Sequence, residues 1–130
     1  MRLVYGLLIF FLAGGVAAAQ TSTVMERLHA AAQRGDPKTL NEILSTGFTV
    51  DAKDARGQTA LLLAVQGGHA HIARLLLDKG ASVNAQAANQ DTPWLLAGAL
   101  GRTEILERML AHGPDLSIRN RRSEEHTSEL

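Results

Sequence analysis

Apolar and small residues recur along this chain with a period of 33 residues. Three stretches align without a gap: LHAAAQRGDPKTLNEILSTGFTVDAKD from Leu28, LLLAVQGGHAHIARLLLDKGASVNAQA from Leu61, and WLLAGALGRTEILERMLAHGPDLSIRN from Trp94. Ala31, Ala64 and Ala97 share one column, Gly35, Gly68 and Gly101 a second, Leu44, Leu77 and Leu110 a third, and Gly47, Gly80 and Gly113 a fourth. A fixed period of this length marks a repeat architecture, in which one supersecondary unit is copied along an axis.

Each unit predicts two short helices and a turn. In the second unit an alanine and leucine run from Ala60 is broken at Gly67-Gly68, and Ile72, Leu75 and Leu76 then recur at i, i+3, i+4 up to Lys79. Gly80 ends that helix, because glycine takes the left-handed conformation past a helix end without a Cβ clash. The alternation Ala81-Ser82-Val83-Asn84-Ala85 is too short for an independent strand and predicts an extended hairpin arm. Asp36-Pro37 and Thr92-Pro93 are start signals: a capping acceptor followed by a proline whose missing N–H costs nothing there. Helices of about eight residues are marginal in water. Stability must therefore come from columns meeting between units, with Leu28, Leu61, Trp94, Ile43, Leu76 and Met109 as core.

From these residues the chain resembles the ankyrin repeat family over 23–120. DARGQTALLLAVQGGHAHIARLLLDKGASVNAQ from Asp54 is similar to the family pattern of Asp, two variable residues, Gly, then Thr-Pro-Leu-His, two alanines, a glycine and a closing Gly-Ala-Asp-Val-Asn-Ala. TPWLLAGALG and HGPDLSIRN fit the same frame in the third unit. The resemblance implies an all-α ankyrin-repeat solenoid of about three repeats, at 20–53, 54–86 and 87–119. It points in particular to the small exported ankyrin proteins of Gram-negative bacteria.

Three departures from the pattern carry expectations. The histidine of the family motif is His29 in the first unit but Leu62 and Leu95 in the next two, so the Thr-to-His bond that braces a family repeat is missing there and those repeats are expected to be looser. Gln90 stands where a turn glycine is expected. Pro114 replaces the alanine after Gly113, which removes one backbone donor from the third hairpin.

The family's contact positions, carried over one by one, imply a protein-binding concave surface. The first unit contributes Gln33, Arg34 and Lys53, and the second contributes Ala55, Arg56, Gln58, Gln66 and Gln86. The third contributes Ala88, Asn89, Asp91, Leu100 and Arg119. Arg34, Arg56 and Arg119 lead the set, since arginine combines charge, fork geometry and stacking.

The two ends of the chain do not follow the repeat. MRLVYGLLIFFLAGGVAAAQ has one positive residue, Arg2, then an apolar core, then small residues to Ala19, the three-part pattern of a secretory signal peptide at 1–19. The apolar run is short for a membrane span, so cleavage after Ala19 and a periplasmic chain with no stable membrane insertion are expected; an uncleaved anchor stays as the alternative. At the other end RSEEHTSEL, 122–130, has no apolar residue before Leu130 and cannot cap a solenoid. It is the in-frame translation of AGATCGGAAGAGCACACGTCTGAACTC, a sequencing-library adapter. The expectation is that 122–130 is an artefact, that 120–121 begin a lost fourth repeat, and that the third unit frays first.

Composition narrows the function. With 13 Lys and Arg against 13 Asp and Glu there is no basic excess for a phosphate backbone, so no nucleic-acid partner is expected. The absence of cysteine excludes thiolate metal sites and cysteine nucleophiles. His69 and His71 are two apart and share no helical face, and no carboxylate pair accompanies them, which argues against a metal site. No Gly-x-Ser-x-Gly or phosphate-loop motif is present, so neither an enzyme nor a cofactor is expected. Two readings stay open: a monomeric periplasmic module binding one partner protein through its concave face, or a structural, stress-protective accessory shielding a periplasmic enzyme without one defined epitope.

Overall fold

The computed structural model describes residues 23–119; the expected signal segment and the 120–130 tail lie outside them. Six helices and no strand are present among the described residues. They are α1 (helical through 23–34), α2 (Pro37–Ser45), α3 (Ala60–Gly67), α4 (Ala70–Asp78), α5 (Pro93–Leu100) and α6 (Thr103–Leu110). The expected hairpin arms are turns and extended loop; their ladders are too short to form strands.

The helix boundaries follow from local chemistry. Asp36 caps α2 by accepting from the Thr39 N–H at 3.3 Å, and Pro37 starts the helix behind it. Thr59 and Thr92 cap α3 and α5 through the Leu62 and Leu95 N–H groups, at 3.4 and 3.1 Å. Gly68 and Gly101 end those two helices at φ 71° and 67°, the left-handed region that a Cβ disfavours.

Each pair of helices is then locked by one backbone bond that repeats with the period. The Asp36, His69 and Arg102 N–H groups donate to the Ala31, Ala64 and Ala97 carbonyls at 2.9, 3.0 and 2.8 Å. All three alanines are fully buried, which explains their column: the second helix folds back so closely that a larger side chain has no room.

Helices pack in two rows. α3 lies against α5, and α4 against both α2 and α6, while α3–α4 and α5–α6 are the hairpin partners within a repeat. The middle position of repeat 2 shows in α3, where every residue from Ala60 to Val65 is buried. α2, α4 and α6 are amphipathic and bury one face, led by Leu40 and Ile43, Ile72 and Leu76, and Ile105 and Met109. Burying each such side chain contributes about 1.5–3 kcal/mol.

Of the expected core residues, Leu28, Leu61, Ile43, Leu76 and Met109 are buried, and Trp94 is not. The Trp94 indole is half-buried, packed against the edge of the core. It is wider than the leucines that fill the same column at Leu28 and Leu61, and among the described residues only repeat 2 stacks on its unit.

The departures from the family pattern have local outcomes. His29 sends Nε2 to the Ala52 carbonyl at 2.9 Å and is buried. Leu62 replaces that bond with apolar packing in the core, and the Thr59 cap stays in place. Pro114 has no counterpart to the Ala81 N–H, which donates to the Leu76 carbonyl at 2.9 Å one repeat earlier.

Candidate protein-binding site

The turn tips are built from aspartate and glycine. Asp54 Oδ1 accepts from the Arg56 and Gln58 N–H groups at 2.8 and 2.9 Å, and the Gly57 N–H donates to the Asp54 carbonyl at 2.9 Å. Gly57 sits at φ 72°, and a Cβ there would lie 3.0 Å from the Ala88 nitrogen, so both the backbone conformation and the close approach favour glycine. The next tip runs 87–90, closed by the Gln90 N–H on the Ala87 carbonyl at 2.9 Å.

Neighbouring tips are tied into one ridge. The Ala88 N–H donates to the Arg56 carbonyl at 2.9 Å, and Lys53 Nζ donates to the Gln86 carbonyl at 3.2 Å. Gln86 Nε2 in turn donates to the Gln90 carbonyl at 3.1 Å, and Asn89 Nδ2 to Asp91 Oδ2 at 3.0 Å. The ridge therefore presents its side chains from a cross-braced backbone, which lowers the entropy lost on binding.

The expected site residues divide into three groups. Gln33, Ala55, Arg56 and Gln58 come together at one recess of about 380 Å³ between α1 and the first tip. Lys53, Gln86, Ala88, Asn89 and Asp91 lie along the ridge beside it, all exposed except the half-buried Asp91. Arg34, Gln66, Leu100 and Arg119 line neither; Arg34 and Gln66 end α1 and approach the end of α3, Leu100 ends α5, and Arg119 is exposed beyond the third hairpin.

Sequence reasoning missed the rest of the recess. Met25, Glu26 and Ala30 of α1, the buried His29, Asp54 of the tip and Leu63 of α3 complete its lining. Met25, Glu26 and His29 recur at i, i+1, i+4, a spacing that marks one side of a helix, but which side meets the tip of the next unit is a tertiary fact. A larger recess of about 480 Å³ lies between the second helices α4 and α6, lined by Arg74, Asp78, Glu104, Glu107, Arg108 and His112 with Leu77 and Ala111.

Charge on the ridge is unequal in availability. The Asp54 carboxylate is held by its own turn, and Asp91 receives Asn89, whereas the Arg56 guanidinium has no hydrogen bond or ion pair among the described residues. Arg34 Nη2 lies 3.7 Å from Asp36 Oδ2, an exposed pair worth little and readily exchanged for another anion. Among the described residues no three His, Asp or Glu side chains are grouped to hold a metal ion, and no helix is long and apolar enough to cross a membrane.

A family model of ankyrin repeats (three copies) matches residues 28–120. The chain belongs to the ankyrin repeat family. It is similar to the crystal structure of EF0377, an ankyrin repeat protein, at 45% sequence identity and a TM-score of 0.70 over 75% of this chain. That match covers 50% of the EF0377 chain, so this chain spans about half its length. No curated protein sequence matches. Ankyrin repeats are generally non-catalytic modules of protein–protein interaction.

Proposed function

We propose that this chain is a non-catalytic binding module of the bacterial periplasm, holding one partner protein against the braced tips and the recess beside α1. The observation that carries the reading is the recess itself, where Gln33, Ala55, Arg56 and Gln58 converge on apolar groups of α1 and α3. An apolar floor of Met25, Ala30 and Leu63 under a polar rim that carries Arg56, Gln58, Glu26 and Asp54 is the composition of a protein-binding anchor point. Arg56 in the recess and Lys53 on the ridge are matched by the Glu26 and Asp54 carboxylates, a mixed rim that favours a polar partner face carrying both charge signs. The pattern at 1–19 supports export.

Capture from a periplasmic extract, followed by calorimetry with the purified partner, tests it. Replacing Arg56 and Gln58 of the recess together by alanine is expected to weaken binding at least about tenfold, which is 1.4 kcal/mol, with the helical signal unchanged. Arg74→Ala with Arg108→Ala, in the recess between α4 and α6, is expected to leave affinity intact. Equal loss from that pair, or none from the Arg56 and Gln58 variant, sinks the assignment. Mass spectrometry of chain produced in a Gram-negative host checks export: loss of 1–19 is expected, and retained Met1 on membrane-bound material counts against it.

A further inference from the structure

One side chain bridges each pair of neighbouring repeats by the same rule. His69, the residue before α4, places Nε2 3.0 Å from the Gln33 carbonyl near the end of α1. One period later Arg102, the residue before α6, places Nε 3.2 Å from the Val65 carbonyl and Nη2 3.0 Å from the Gln66 carbonyl near the end of α3. Gln33 and Gln66 are equivalent positions. Terminal helix carbonyls lack intrahelical donors and carry the negative end of the dipole, so they take an N–H or cationic donor.

The donor also fills a glycine notch each time. A Cβ at Gly35 would lie 2.6 Å from His69 Nδ1, and one at Gly68 would lie 2.9 Å from Arg102 Nη1. At Gly101, the same column in repeat 3, a Cβ would have nothing within 4 Å among the described residues. Among the described residues no side chain reaches the Gly98 and Ala99 carbonyls, the counterparts of Val65 and Gln66.

The apolar columns stop at the same place. Leu44 and Leu77 are 8% and 2% exposed, but Leu110 is 60% exposed; Val83 is 2% exposed, but its counterpart Leu116 is 75% exposed. Acceptors, notch and leucines thus stand together on one end of the stack, each in the form that is covered one repeat earlier.

We propose that this end is an internal stacking interface, which receives a fourth ankyrin unit of the same array carrying Arg or His at the position equivalent to Arg102. A second copy docked head to tail does not supply that donor. Repeat 1 has Asp36 in the column, and its carboxylate is committed to the Thr39 N–H and hydroxyl and would face carbonyl oxygens.

Inserting a 33-residue consensus ankyrin unit after Arg119, in register and with 120–130 following it, tests the proposal in the full chain. Two forms are compared, one with Arg at the bridging position and one with Asp. The Arg form is expected to raise Tm by about 8 °C or more and to slow amide exchange in α6 to the range of α4, and the Asp form to do less of both. No rise, or identical behaviour of the two forms, overturns it. So does a concentration-dependent dimer of the unextended chain that Leu110→Glu dissociates, since the face would then belong to a second copy.

Discussion

Gln90 holds the same left-handed backbone conformation as Gly57 one repeat earlier, at φ 71° against 72°. A glutamine pays for that conformation sterically, and among the described residues its side chain offers no hydrogen bond in return: the bonds at this residue are made by its backbone, from its N–H to the Ala87 carbonyl and from Gln86 Nε2 to its carbonyl. Gln90→Gly is therefore expected to stabilise the chain by about 1 kcal/mol, read from the urea midpoint. Gly57→Ala is expected to go the other way by more, because the added Cβ meets the Ala88 nitrogen as well as the strained φ.

Leu77 and Leu110 occupy one column in different surroundings, buried in α4 and exposed in α6. Leu77→Ala is expected to cost about 2–5 kcal/mol, and Leu110→Ala less than about 1 kcal/mol. Equilibrium denaturation of the two variants gives the contrast; equal costs would mean that α6 is covered in solution.

Thr59 and Thr92 are buried hydroxyls whose oxygens cap α3 and α5. Alanine at either is expected to cost about 1 kcal/mol. Serine, which keeps the acceptor, should recover most of the loss in thermal melts.

Asp36 is held below the ordinary aspartate range chiefly by the Thr39 hydroxyl and then by the Thr39 N–H, with Arg34 adding a smaller pull. A carboxylate depressed in the folded state contributes stability above its unfolded value, about 3.9, and loses it as pH falls through the folded value. Asp36→Asn is expected to flatten the fall of the unfolding midpoint between roughly pH 4 and pH 2. An unchanged acid profile would show that the cap is not formed in solution. Asp115, lowered by the Ser117 hydroxyl and N–H, acts in the same window and with the same sign.

The helices and their ends were legible in the sequence because their causes are local. Asp36-Pro37, Thr92-Pro93 and the glycine columns each act within four residues of themselves, and the period multiplied every signal by three. The Gln90 anomaly was legible too, since only a fixed register shows that a glycine belongs there. Trp94 was misplaced because burial in a column depends on what stacks beyond it as well as on hydrophobicity.

The sequence by itself thus determined the repeat, its register, the helix caps and the family. Tertiary structure decided which side chains leave their own unit: that His69 and Arg102 close over helix ends about one repeat away, that α1 and the 54–57 turn enclose a recess, and that Leu110 differs from Leu77. Those are contacts between residues more than 20 positions apart, or the absence of one, and their energy depends on distances that spacing along the chain does not encode.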